Sequence, residues 1–520
     1  MKTLTPTTAL LPQILALNGR WRAAQSAIVC GSRSLSWGQF NRRLNRVANA
    51  LLALGLEKGD RVGVVMSNGV EMAETLFGVM KAGCVSVPIN LSVPDAAISI
   101  MLSDSGARAL VATADQAQRI DAAGVSGSCL KAESRIATGE KRPGWLSYED
   151  WASTQPDTEP EIEILPDDPL NIIYSSGTTG TPKGICHNHE SRLNFGRDLG
   201  MVLRYQGKVR MLVTLGMYSN ISWVSMLCTF LTGGCTHIHK RFDPVETLRA
   251  IQDEGITHTS MVPLQYQQLV EAQRKNGFDL GSFRAPMSCG SPLQPELKKQ
   301  VMAEISSGII ELYGLTEGPI TTIDPEDSDE HVGSVGLPVP GSDIRILDDD
   351  NQDVRPGESG EIIGRCAYMM TGYHNRPEAT AECTWVDAGN RAWLRTGDIG
   401  RFDKDGFLYI VGRKKDLIIS GGQNIYPEDI EAVIVRHETV QQVAVIGVVS
   451  RKWGETPMAV VVPEPGSSPD RDEIVGWCNS RLGKQQRIAG IQFRDELPRN
   501  PNGKVLKREL REQFSDVVYD

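Results

Sequence analysis

Apolar residues recur at helical spacing at Phe40, Leu44, Val47, Ala48, Leu51 and Leu52, which predicts an amphipathic helix. The run 61–66 follows a Gly59-Asp60 turn and reads as a strand. A second amphipathic stretch, 72–80, stops at Gly83, and 85–89 reads as the next strand. Strand, helix, strand at this rhythm builds a parallel sheet. Leu170, Ile172 and Ile173 predict a further buried strand, and the alternation continues from Gly184 to about residue 320. Residues 121–165 are polar, carry Ser, Gly and Pro, and show weak periodicity, so a surface excursion is expected there. Over 333–412 strand patterns crowd together with turn signals such as Asp403-Lys404-Asp405-Gly406, which marks a smaller β-rich part.

The pattern breaks at Gly412-Arg413-Lys414-Lys415. Beyond it stand the Gly421-Gly422 pair, Pro427 opening an acidic helix over 428–435, and a strand over 443–449. Together they form an α+β unit of about a hundred residues, an ordinary size for a small domain. The expected fold class is α/β. A large N-terminal domain, 1–412, holds parallel-sheet α/β subdomains and the small β-rich part; a small α+β C-terminal domain, 413–520, follows.

Composition narrows the function. The 520 residues exceed what one core usually serves. A formal charge of −10 speaks against a broad nucleic-acid-binding face. Ten Cys without CxxC pairing suit a reducing cytoplasm, the expected location. The apolar start is broken by Pro12 and reads as a helix rather than a signal peptide. No stretch approaches the roughly 18 apolar residues of a membrane span.

The most informative segment is Tyr174-Ser175-Ser176-Gly177-Thr178-Thr179-Gly180-Thr181-Pro182-Lys183-Gly184. Such a mixture builds a loop whose backbone N–H groups close on an anion, with hydroxyls and the Lys183 ammonium as further donors. Glycine lets the backbone approach phosphate closely. The loop leaves a strand end, where α/β proteins place ligands. It is not a Walker A loop, because Pro182 precedes Lys183 and Gly184 follows it.

This loop resembles the phosphate-binding signature of the adenylate-forming superfamily. So do Tyr-Gly-Leu-Thr-Glu at 313–317, Thr-Gly-Asp at 396–398, Gly-Arg-Lys-Lys-Asp at 412–416 and Asn-Gly-Lys-Val-Leu-Lys-Arg-Glu-Leu at 502–510, in family order over essentially the whole chain. The resemblance implies an acyl-CoA synthetase that turns a carboxylic acid and ATP into an acyl-adenylate, then passes the acyl group to CoA. It implies nucleotide contacts from Ser175, Ser176, Gly177, Thr178, Thr179, Gly180, Lys183, Ser288, Cys289, Gly290, Tyr313, Asp398 and Arg413. Tyr313 would stack on adenine and Asp398 would accept the ribose hydroxyls. Thr316 would bond the α-phosphate, Glu317 would hold Mg²⁺, and Lys504 would contact the carboxylate and α-phosphate. The C-terminal domain would be mobile, with its hinge at Lys415.

For CoA the resemblance implies a passage at Gly421 and Gly422, with Trp453 near its end and Arg487 as the cation kept where relatives carry several. Ser219 stands where many relatives have a His. An acid pocket of Tyr218, Ser219, Trp223, Met261 and Ile320 offers no obvious cation, so an apolar acid fits best, a medium- or long-chain fatty acid first. An aromatic acid, a carrier protein as acceptor, and a catalytically silent nucleotide-binding protein stand as alternatives, and a homodimer is left open. Cys186, His187 and His189, and likewise Cys235, His237 and His239, offer zinc-type donors, but their spacings match no structural zinc pattern.

Overall fold

The computed structural model describes residues 9–124, 132–175, 182–421, 423–484, 486–499 and 503–519. Contacts divide the chain into two compact units. One comprises 1–330, 338–343 and 365–394; the other comprises 331–337, 344–364 and 395–520. The β-rich part is therefore split between the two units, 338–343 and 365–394 in the first and the rest in the second.

In the first unit, the helix Trp37–Ala53 buries Trp37, Phe40, Leu44, Val47, Ala48 and Leu51, the face its periodicity announces. Ser36 and Gln39 close a capping box at its start. The strands Arg61–Val65, Val85–Pro88, Ala109–Ala112 and Pro169–Ser175 pair in parallel, and the antiparallel strands Lys183–Asn188 and Gly372–Tyr373 extend that sheet. A second sheet has a parallel centre of Ala285–Ser288, His258–Met261, Arg210–Val213 and Cys235–Ile238. Beside that centre, Ile310–Gly314 turns back into the antiparallel Ile320–Ile323.

The expected surface excursion is corrected in part. Within 121–165, Arg135–Ala137 and Leu146–Ser147 add parallel strands to the first sheet, and the helix Tyr148–Ser153 buries Tyr148. Strands this short leave no periodic trace. They are held instead by paired polar groups. The buried Glu74 meets Arg43 and accepts from the Tyr148 hydroxyl at 3.1 Å, and the buried Lys81 reaches Glu159 at 2.7 Å.

In the second unit, the strand Leu408–Arg413 lies antiparallel to Ala392–Phe402 over residues 398–402. Another sheet is built on the long hairpin Val440–Ser450 and Gly454–Pro463. The helix Pro427–Ile434 and the helix Arg471–Asn479 bury Ile430, Ile434 and Ile474 against one side with Val445 and Val461. Leu510, from the helix Lys507–Gln513, packs with Ile446, Val448 and Met458 on the other. Among the described residues no helix is long and apolar enough to cross a membrane.

Candidate active site

The strand Pro169–Ser175 ends where Lys183 begins the next strand, and Ser175 and Lys183 face each other across the antiparallel ladder. The strand ends on either side of residues 176–181 are thus held by sheet hydrogen bonds. Ser176, Gly177, Thr178, Thr179 and Gly180 lie outside the described residues. Tyr174 anchors the first strand by donating its hydroxyl to Asp104 at 2.7 Å, and burial raises that phenol's pKa. Lys183 Nζ lies 5.1 Å from the centre of the Tyr373 ring. The Tyr373 hydroxyl donates to Glu317 Oε1 at 3.0 Å, so Lys183, Tyr373 and Glu317 form one group. Burial and the Glu317 carboxylate both raise the Tyr373 pKa, keeping the phenol a donor.

The turn that carries Thr316 and Glu317 links two antiparallel strands. Its backbone is held from two sides. The Glu317 carbonyl accepts the Met370 N–H at 2.9 Å, and the Thr316 carbonyl meets His187 Nε2 at 2.9 Å. His187 Nδ1 in turn meets the Arg192 guanidinium at 3.1 Å. A guanidinium only donates, so Nδ1 is the acceptor and the proton sits on Nε2, which donates to Thr316. Burial, then the nearby Arg192 charge, pushes the imidazole pKa well below its usual range, so His187 is neutral.

Tyr313 ends the strand Ile310–Gly314, half-buried. Ser288 is buried at the end of its strand, Cys289 is buried behind it, and Gly290 follows at φ 91°, a left-handed position suited to glycine. The buried Glu311 closes this corner by accepting the Leu293 N–H at 3.3 Å.

Of the acid-pocket residues, Tyr218 and Ser219 are half-buried, and Ser219 has a structural task. Its hydroxyl caps the helix Asn220–Thr232, which accounts for a serine there. Trp223 is 0% exposed and packs on Phe77, ring centres 5.6 Å apart. Ile320 shares its hydrophobic cluster. Met261 does not: it packs in a separate cluster with Leu212, Tyr266 and Leu293. The reason is strand alternation, since its neighbour Ser260 is the residue that bonds Ser225 of the helix.

In the second unit Asp398 and Arg413 are opposite each other in the ladder and paired, Nε to Oδ1 at 2.6 Å. Lys504 is half-buried among the same charges. Desolvation, then Arg413, lowers its pKa to about 8 against the pull of Asp398 and Asp416. Lys415 lies in a short 3₁₀ turn and is also lowered by burial. Gly421 (φ 58°) donates its N–H to the Trp453 carbonyl at 2.8 Å, and a Cβ there would lie 2.8 Å from the Trp453 ring. Gly422 lies outside the described residues, and Arg487 is exposed.

Sequence reasoning missed Tyr373, His187 in this role, and Arg192. No local signal marks them, because each acts on partners distant in the chain. The zinc-type pairs resolve into other duties: His187 turns to Arg192, and His237 pairs with Glu254. Among the described residues the grouping with metal-compatible spacing is His331, Asp403 and Asp405. There Asp403 Oδ1 already accepts the N–H groups of Asp405 and Phe407, as a turn requires.

Paired strand ends flanking a Gly/Ser/Thr-rich segment, an ammonium and a hydrogen-bonded carboxylate suit an α/β enzyme that handles a nucleotide. Residues 18–374 match the model of the AMP-binding enzyme family, and 429–504 match that of the AMP-binding enzyme C-terminal domain. The chain belongs to this adenylate-forming superfamily. It is 34% identical to a feruloyl-CoA synthase of Amycolatopsis sp, over 94% of this chain and 96% of that protein. It is also 34% identical to the long-chain-fatty-acid–CoA ligase FadD13 of Mycobacterium tuberculosis, over 93% of this chain and 94% of that one. ATP-bound MatB from Rhodopseudomonas palustris has the same fold, with a TM-score of 0.87 and 28% identity over 97% of this chain and 99% of that chain. The chain is an enzyme of the AMP-forming acid–thiol ligase class, an ATP-dependent acyl- or aryl-CoA ligase.

Proposed function

We propose that the enzyme activates an apolar carboxylic acid, a medium- or long-chain fatty acid first, and transfers it to CoA. A carboxylate oxygen attacks the α-phosphorus of ATP and pyrophosphate leaves. The CoA sulfur then attacks the acyl carbonyl of the adenylate and AMP leaves. The observation that carries the acid assignment is the chemistry of the wall. Tyr218, Ser219, Trp223 and Ile320 are aromatic, hydroxylic or aliphatic, and the guanidinium behind them, Arg192, is buried and turned toward neutral acceptors.

In this reading Lys183 and the 175–180 loop hold the phosphates, Tyr313 and the 288–290 corner face adenine, and Asp398 takes the ribose. Thr316 bonds the α-phosphate, and Lys504 meets the negative charge that develops during adenylation. Glu317 offers a hard carboxylate oxygen, half-buried and already oriented by Tyr373, which suits Mg²⁺. Bound with ATP, that ion would neutralise phosphate charge. The working boundary is placed at 412/413, with Lys415 as the hinge that exchanges Lys504 for the CoA passage at Gly421, Gly422, Trp453 and Arg487. The described cysteines are all unpaired thiols, which suits a reducing cytoplasm.

A second reading, an aromatic acid, is favoured by one feature. Trp223 is wedged between Phe77 and Arg192, which shortens the space behind the wall. Pyrophosphate exchange over a panel of straight-chain and aryl acids separates the two, with CoA or a carrier protein supplied for the second step. Under the first reading longer straight chains give the highest kcat/KM and CoA accepts the acyl group. Trp223→Ala should then shift preference toward larger acids while leaving KM for ATP nearly unchanged. A uniform loss across all acids would make Trp223 a core residue only, and a panel led by aryl acids would establish the second reading.

A further inference from the structure

Arg192 presents a buried cation in a place where apolar residues would pack at lower cost. It lies on the helix His189–Val202, is 0% exposed, and no described carboxylate pairs with it or acts on its charge. Desolvation alone lowers its pKa, to about 9, so it keeps its charge at neutral pH. Leaving a buried charge without a counter-ion is expensive, and satisfied hydrogen bonds must offset that cost. Its surroundings show what it holds instead.

Three N–H directions of the guanidinium go to three neutral acceptors on three different elements. Nε donates to Asn171 Oδ1 at 3.1 Å, on the strand Pro169–Ser175. Nη1 donates to Asn220 Oδ1 at 2.8 Å, the first residue of the helix behind the acid wall. Nη2 donates to His187 Nδ1, and His187 passes the constraint to the Thr316 carbonyl. The guanidinium carbon lies over the Phe195 and Trp223 rings, 5.1 and 5.5 Å from their centres. A planar, rigid fork can satisfy this arrangement, whereas an ammonium on a flexible stem cannot.

We propose that Arg192 is a positioning residue that links the acid wall to the nucleotide turn. It fixes His187 as an Nε2–H donor to Thr316, and through Asn220 it sets the start of the Asn220–Thr232 helix. Seating an acid against that wall steadies Asn220, and the shared guanidinium carries that order to the Thr316-Glu317 turn. Acid and ATP should therefore each tighten the binding of the other. The idea rests on the acid wall assigned under the proposed function.

The test is calorimetric titration with α,β-methylene-ATP and Mg²⁺, a probe that cannot lose pyrophosphate, with and without the best acid of the panel. In the wild type the acid should tighten the probe about tenfold, within the usual range of coupling. Arg192→Met and His187→Leu should each weaken the probe and abolish the tightening, and the double variant should be no worse than either single one. Arg192→Lys should restore the charge without restoring the coupling. Asn220→Ala, a half-buried change at a helix start, guards against a folding failure of the other variants and should lose the coupling on its own. The proposal is overturned if the variants lower Tm while affinity and coupling stay as in the wild type, or if the single effects simply add. A wild type that fails to bind the probe would refute the proposed function itself, a result distinct from these.

Discussion

Arg192 in the first unit is fully buried and Lys504 in the second is half-buried, and their electrostatic surroundings differ. Around Arg192 only desolvation acts on the charge, and its partners are amide oxygens and an imidazole nitrogen. Around Lys504 the same desolvation is joined by two like charges, Arg413 and Lys415, and two opposite ones, Asp398 and Asp416. Dipoles on three rigid elements hold a cation in one place. A crowd of ionic groups makes a cation's charge sensitive to which partners are near, because each contributes through distance. The first arrangement suits a fixed support. The second suits a group whose partners change when a phosphate approaches.

The widest separation of the two regions should come from Lys504→Ala. Loss of an ammonium aimed at developing phosphate charge should lower pyrophosphate exchange by about 10²–10³-fold. Thioester formation from supplied acyl-adenylate should survive, since no such charge develops there. Equal loss in both half-reactions would place Lys504 with Arg192, among the supports.

Lys415→Pro addresses movement. The 3₁₀ turn Lys414–Asp416 should accommodate the fixed φ of proline, so the conformation seen here should persist. Adenylation should stay within about twofold of the wild type while thioester formation falls about tenfold, as expected when a gating motion is blocked. Unchanged turnover in both steps would remove Lys415 from the hinge.

How much of this was legible beforehand follows from the range of the interactions. The helix Trp37–Ala53 and the strand Pro169–Ser175 were legible because periodicity reports which face meets the core. Arg192 was not, since on its own helix it is one more polar residue and its meaning lies in Asn171 and Asn220, 21 and 28 positions away. Tyr373 reaches Glu317 across 56 positions, again without local sign. Met261 was named with the acid pocket, and strand alternation places it in a separate hydrophobic cluster with Leu212, Tyr266 and Leu293. The strands at 135–137 and 146–147 were hidden because they are too short to show a period.

Gly421 sharpens the contrast at smaller cost. Its left-handed backbone and the nearby Trp453 ring both exclude a Cβ. Gly421→Ala should cost about 1–2 kcal/mol of stability in denaturant titration from the backbone alone. Displacing Trp453 should also raise KM for CoA while leaving pyrophosphate exchange unchanged. If KM for CoA does not move, this corner supports the fold and lies off the thiol's route.

The finest distinction is thermodynamic and carries a definite sign. The Lys504 pKa is lowered in the folded chain from 10.5 to about 8. The native state thus gives up this proton before the unfolded state does. Between about pH 8 and 10.5 the unfolded chain binds more protons at this site, so stability should rise with pH across that window. Below it the half-buried ammonium weighs against the fold. Lys504→Met should therefore raise Tm slightly at pH 7, and the gain should shrink toward pH 10. Arg192→Met should lower Tm at pH 7, because it leaves three buried acceptors on three elements without their donor. Paired Tm measurements of the two variants against the wild type at pH 7 and pH 10 decide the matter. Were Lys504→Met to lower Tm at pH 7 as far as Arg192→Met does, both cations would be structural supports, and the surrounding charges of the second unit would have no bearing on chemistry.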